Sequence, residues 1–192
     1  MGNQESTQSL SEHEIARLSA ETNFTPAEVA QWYKGFKRDC PSGKFTMARF
    51  QAIAEGFFPA GDAENFTKFI FNGMDLEEDA SLNFESFIKV TSLLARGTKE
   101  EKLKWAFHVR DIDHTGFITK EKMQLVEDSV FSMIANHVPL PDDENTAEKR
   151  TEKLYNLIEK DQDGKVTVDQ FKVGLNQDRD IVNALSLHDT VQ

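Results

Sequence analysis

The chain has one cysteine, Cys40, so it forms no internal disulfide, a usage that fits a reducing cytosol. It has no apolar run near the ~20 residues that a membrane-spanning helix requires. Its start, Met1-Gly2-Asn3-Gln4-Glu5-Ser6, is too polar for a secretory leader. Positive charge is scarce: 22 Lys and Arg stand against 33 Asp and Glu, and a net charge of −11 argues against nucleic acid as the main partner. Enzyme machinery is also missing. The five His are scattered, Cys40 has no basic partner pattern, and no phosphate loop or acid/base constellation appears. Tyrosine and tryptophan number two each against fifteen Phe. Most of those Phe are expected in the core, with some lining an apolar groove for a partner helix or lipid.

What the chain does have is a repeat. Asp111-Ile112-Asp113-His114-Thr115-Gly116-Phe117-Ile118-Thr119 carries acids at positions 1 and 3, a hydroxyl at 5, glycine at the sharp turn and Thr at 9. That is the pattern of an EF-hand calcium loop, with Phe117 offering its carbonyl at position 7. The twelfth position, which should be a bidentate Glu, is Lys122. Aligning turn position 6 gives Gly43, Ala80, Gly116 and Gly164; position 8 gives Phe45, Leu82, Ile118 and Val166. The first apolar residue beyond each loop is Phe50, Phe87, Met123 and Phe171. Three features in register across four copies define an internal repeat. The expected fold is therefore all-α, four helix–loop–helix units in two pairs. Short β contacts should join Phe45 to Leu82 and Ile118 to Val166. Capping boxes at Ser11–Glu14, Thr25–Glu28 (with Pro26 at the first helical position) and Thr98–Glu101 announce helices. The boundaries follow: 1–9 a polar, acylated segment, 10–96 the first pair, 97–178 the second, and 179–192 a final helix and tail that could cover an apolar groove.

Calcium takes six to eight oxygens, two of them from the acid at position 12. The first loop, Arg38 to Arg49, puts cations at positions 1 and 12 and Cys40 at 3, so its role is pairing. The second has Asp75, Glu77 and Asp79 at 1, 3 and 5, but Ala80 at the turn and Ser86 at 12. Glu85, one residue earlier, lies about 100° around the helix. In the third, Asp111, Asp113, Thr115 and Phe117 remain, while Lys122 repels the ion unless it swings into solvent. Hydrated Mg²⁺, held loosely, is the alternative there. The fourth is the strongest candidate: Glu159, Asp161 and Asp163 at 1, 3 and 5, the Lys165 carbonyl at 7, and Gln170 offering one neutral oxygen at 12. Thr167–Gln170 also keeps a capping box, so the fold does not need metal.

Gly2 and Ser6 fit the N-myristoylation pattern, which points to a lipoprotein at membranes. One myristoyl chain anchors only marginally, so a second signal is expected, with Lys34, Lys37, Arg38, Lys44 and Arg49 as the candidate. A target groove is expected around Trp32, Phe36, Phe50, Phe57, Phe87 and Leu94.

Several segments together resemble the neuronal calcium sensor family, the recoverin, frequenin and visinin-like group. They are Met1-Gly2-Asn3, Trp32-Tyr33, Asp39-Cys40-Pro41-Ser42-Gly43, Phe57-Phe58-Pro59 and Lys102-Leu103-Lys104-Trp105-Ala106-Phe107. Leu140-Pro141-Asp142-Asp143-Glu144-Asn145-Thr146 and Ile181-Val182-Asn183-Ala184-Leu185-Ser186-Leu187 complete the likeness. The resemblance implies a myristoylated cytosolic protein, peripheral on membranes, that presents an apolar groove to amphipathic target helices. It also implies calcium in hands two and three, often four. Here Arg49, Ser86, Lys122 and Gln170 replace the closing acid in all four. The expectation is thus a regulatory adaptor with calcium binding weak or lost; the alternative is a working sensor that binds chiefly through the fourth hand.

Overall fold

A computed structural model describes residues 9–74, 76–134 and 141–176. Gly2, Asp75 and the expected helix over 179–187 lie outside the described residues. Among those described, the chain forms α1 (Glu12–Glu21), α2 (Pro26–Asp39), β1 (Phe45–Thr46), α3 (Met47–Phe57), α4 (Glu64–Asn72), β2 (Ser81–Leu82) and α5 (Phe84–Arg96). The second half adds α6 (Lys99–Arg110), α7 (Lys120–Ile134), α8 (Ala147–Asn156) and α9 (Val168–Leu175). This is an all-α fold with a two-residue antiparallel ladder. No helix among the described residues is long and apolar enough to cross a membrane.

Four of the helices start at capping boxes that the sequence signals. Ser11, Thr25, Thr98 and Thr167 each close a full capping box. In each, the cap oxygen accepts an otherwise orphaned N–H and the third-position side chain returns the bond. The capping carboxylates of α2 and the neighbouring acid of α5 then reach farther. Glu28 forms a bidentate pair with Arg96, at 2.6 and 3.1 Å. The Arg96 guanidinium also lies 4.7 Å over the Phe24 ring. Glu85 pairs with Arg17 at 2.7 and 3.0 Å. These contacts tie α1 and α2 to α5.

Loop pairing sits where the position-8 residues require it. Phe45 faces Leu82 in β1–β2, and Ile118 bridges Val166. All four are buried, Ile118 and Val166 completely. Around the first bridge Leu18, Phe36, Phe45, Phe71, Phe84 and Ile88 make one core. Around the second, Leu103, Phe107, Met123, Leu154, Ile158 and Phe171 make another.

The halves are joined through a third cluster, Ala54, Ala63 and Met133, backed by Phe58, Phe66 and Ile134. Asp62 donates its N–H to the Ser132 carbonyl at 3.0 Å. Gly61 makes this approach possible, since a Cβ there would lie 1.7 Å from the Met133 carbonyl oxygen. Gly61→Ala is therefore expected to force the halves apart and cost about 1–3 kcal/mol, as overpacking does. Urea denaturation of the variant beside the parent measures it.

A second expectation concerns acid. The Arg96 bond holds the Glu28 carboxyl at about 2, below its ordinary 4.5, and Arg17 with Lys89 does the same for Glu85. A carboxylate whose folded pKa is depressed contributes stability above its unfolded value and loses it as pH falls through the folded one. The thermal midpoint should fall between pH 4.5 and about 2. The double variant Arg17→Met with Arg96→Met should flatten that limb; both curves come from scanning fluorimetry across the range. Since these pairs are partly exposed, salt should weaken the effect.

Candidate metal loops and target groove

Each hand turns on a residue with left-handed backbone at loop position 6. Three are glycines: Gly43 at φ 75°, Gly116 at 81° and Gly164 at 72°. Ala80 fills the same place in hand two at φ 56° and bears the steric cost of its Cβ. The frame of a calcium loop is thus kept four times, and the loops differ in what occupies the ligand positions.

In the third hand the geometry is nearly that of a filled cage. The Asp111 carboxylate, 4% exposed, accepts the Thr115 N–H at 3.1 Å and the Gly116 N–H at 2.8 Å. The Thr115 hydroxyl donates to Asp113 Oδ1 at 2.9 Å. Into this ring of oxygens comes Lys122. Its Nζ bonds the Asp113 carboxylate, donates to Thr115 Oγ1 at 3.0 Å and to the Phe117 carbonyl at 2.7 Å, and stands 3.5 Å from Asp111 Oδ1. The side chain is 13% exposed. Rather than swinging into solvent, the lysine folds inward, because two carboxylates without a counter-charge would repel each other in the loop. Its ammonium holds the Asp113 carboxyl at about 2, chiefly by that hydrogen bond. The donor set at positions 1, 3, 5 and 7 suits calcium, but the twelfth residue supplies a cation to it in place of a carboxylate. Hand three does not fit the ion.

The fourth hand keeps its acids outward. Glu159, Asp161 and Asp163 are exposed. Asp161 Oδ1 accepts the N–H groups of Asp163 at 2.9 Å and Lys165 at 2.7 Å. Gln170 Oε1 is taken by the Thr167 N–H at 2.8 Å and hydroxyl at 3.0 Å. The oxygen that position 12 would lend to a metal is thus already closing the helix cap. Tyr155 donates its hydroxyl to the Gly164 carbonyl at 2.7 Å and pins the turn.

In the second hand the Asp79 carboxylate binds the ammonium of Lys44, which comes from position 7 of the first loop, and Asn83 donates to Glu77. Glu85 points out to Arg17 and Lys89, as its place on the helix requires. The first hand pairs Arg38 with Asp39 and buries Cys40, where loss of water pushes the thiol pKa up. Among the described residues no three His, Cys, Asp or Glu side chains converge into a metal-holding group.

The expected groove residues divide. Trp32, Phe36, Phe50 and Phe87 line one cavity of about 700 Å³ in the first half. Trp32 meets Phe87 edge-on at 6.1 Å, and Phe36 lies 5.2 Å from Phe87 and is itself core. Leu94 lines a second cavity, about 470 Å³, between the halves, where Phe50 also contributes. Phe57 is 76% exposed and borders neither. Of the basic cluster, Arg38 and Lys44 are neutralised by Asp39 and Asp79.

Sequence reasoning missed Glu127. It is 1% exposed on the inner face of α7, clasped by Arg110 of α6 at 2.5 Å and Arg150 of α8 at 3.3 Å. Arg150 goes on to Glu144 at 2.7 Å. The available signal was an acid interrupting the apolar stripe of Met123, Val126 and Met133.

Turn, paired bridges and oxygen-lined loops define a protein of the EF-hand class, and the family model for an EF-hand domain pair matches residues 100–173. Two relatives span nearly the whole chain. Neuronal calcium sensor 1 of Lymnaea stagnalis is 40% identical over 183 residues, covering 95% of this chain and 96% of that one. Neuronal calcium sensor 1 of Aplysia californica is 42% identical over the same length and coverage. The chain belongs to the neuronal calcium sensor family, whose members are regulatory calcium-binding proteins that act on targets and are not enzymes.

Gln170→Glu tests the fourth loop. A carboxylate there adds both charge and a second oxygen to the Glu159, Asp161 and Asp163 set. Calcium affinity, read by calorimetry, is expected to rise by about tenfold or more, since charge count and a bidentate twelfth ligand tune these loops.

Proposed function

We propose that this chain is a regulatory adaptor of the family, acylated at Gly2 and working at cytoplasmic membrane surfaces with little or no dependence on calcium. It takes an amphipathic target helix against the apolar groove of Trp32, Phe36, Phe50 and Phe87. The single observation that carries this reading is the fate of residue twelve in the two most complete loops. Lys122 puts an ammonium among its own loop oxygens, and Gln170 holds the Thr167 amide. Neither side chain is turned toward a metal as a closing ligand. The acyl chain supplies part of the membrane affinity and Lys34, Lys37 and Arg49 the electrostatic remainder, because one chain alone is marginal.

The alternative, a sensor working through hand four, draws on one fact: Glu159, Asp161 and Asp163 stay exposed around an intact glycine turn. Hydrated Mg²⁺ on Asp111 and Asp113 of hand three would have to displace the Lys122 ammonium that stands at both carboxylates.

The deciding experiment uses the acylated full chain. Calorimetry with calcium should show no micromolar site. Binding to vesicles containing anionic lipid should be equal in calcium and in chelator, while Trp32 and Trp105 fluorescence stays unchanged. Micromolar binding with a fluorescence change establishes the sensor instead. Alanine at Trp32 and Phe87 should weaken capture of an amphipathic target peptide while leaving vesicle binding intact.

A further inference from the structure

We infer that Lys122 is a built-in cation that stands in for a metal, holding the third hand permanently in the closed-loop geometry an ion would impose. The inference rests on the reading that hand three takes no calcium, and it goes further by assigning that loop a fixed state. An ammonium has three N–H donors and no acceptor. Here three acceptors surround it: the Asp113 carboxylate, Thr115 Oγ1 at 3.0 Å and the Phe117 carbonyl at 2.7 Å. Asp111 Oδ1, at 3.5 Å, adds a fourth oxygen by charge alone. These are loop positions 3, 5, 7 and 1, the groups a calcium loop points at its ion.

The residue that normally closes the cage by giving two oxygens closes it by giving the charge itself. Its backbone does the rest: the Lys122 N–H reaches Thr119 Oγ1 at 3.4 Å, where α7 begins. At loop position 8, Ile118 and Val166 exchange both backbone bonds at 2.9 Å. The second hand shows the same logic less completely, with Lys44 of the partner loop bonded to Asp79. The tether fixes the cation's local concentration, so the loop is filled at every calcium level. Any metal must first displace a bonded ammonium that cannot diffuse away.

Amide hydrogen exchange of the full chain, with calcium and with chelator, tests this. In the parent, exchange at Thr115 and Gly116, whose N–H groups bond Asp111, should be slow and identical in the two conditions. Lys122→Met keeps the stem and removes the charge, and exchange there should accelerate by about tenfold or more, the scale of losing one charge-assisted bond. Lys122→Glu should be fast in chelator and return to parental protection in calcium, and it serves as well if the Met variant does not fold. Parental protection in Lys122→Met overturns the inference, as does loop-three protection in the parent that rises with calcium. A calcium site in the parent at hand four, seen by calorimetry while loop three stays unchanged, defeats the proposed function but leaves this inference standing.

Discussion

Everything in this molecule hangs on the bridge at loop position 8. A hand has one apolar face and cannot cover it alone; two hands joined back to back can. Ile118 and Val166 make that join at full burial, and Phe45 with Leu82 makes it in the other half. The bridge requires each loop to present its eighth residue at the right angle, and that angle is set two residues earlier by the left-handed turn. Three turns use glycine, where positive φ is free of side-chain conflict; the fourth places Ala80 there. Nothing in this chain of requirements calls for metal. The loops are kept because they connect the helices and zip the pairs, and any ligand chemistry is carried on top of that.

The charge problem is a separate one. A calcium loop without its ion is a ring of carboxylates, and such a ring repels itself. Three solutions appear in one chain. Hand three supplies a lysine from its own twelfth position, and hand two borrows one from the neighbouring loop. Hand four turns its acids to solvent, where water screens them, and lets backbone N–H groups take up Asp161. The differences at position 12 look less like uniform decay once each loop's remaining acids are counted beside their local counter-charge.

Much of this was legible in the sequence, and for identifiable reasons. Repeats, turns, caps and the position-8 pairing are short-range patterns: Thr25 with Glu28 and Thr98 with Glu101 are three residues apart, and the structure closes both boxes. The start of α4 was not so marked. Ala63 offers no cap oxygen, and the nearest substitute, Asp62, holds the Glu64 N–H from outside the helix. The loop chemistry was legible in part. That Lys122 opposes calcium follows from its charge; that it turns inward depends on three acceptors whose placement only the folded loop defines. Glu127 was hidden for a similar reason, since its partners Arg110 and Arg150 lie 17 and 23 residues away along the chain on different helices. The groove list mixed two surfaces because Leu94, on α5 with Phe87, faces the junction between halves and not the first cavity.

That junction bears on what a fixed third hand means for the whole protein. A ligand shifts a conformational equilibrium only by its differential affinity for the two states. A tethered cation has the same identity at all times, so it biases the equilibrium once, at folding, and then transmits no signal. The helices it positions are α6 and α7, clasped to each other by Arg110 and Glu127. They in turn pack against α4, with Gly73 brought so close to Val109 that a Cβ there would stand 2.7 Å from its Cγ2. A packed interface of this kind is stiff, and it passes on a fixed geometry as readily as a changing one. On the inference drawn for Lys122, the third hand would hold α6 and α7 in one arrangement against α4, whatever the calcium level.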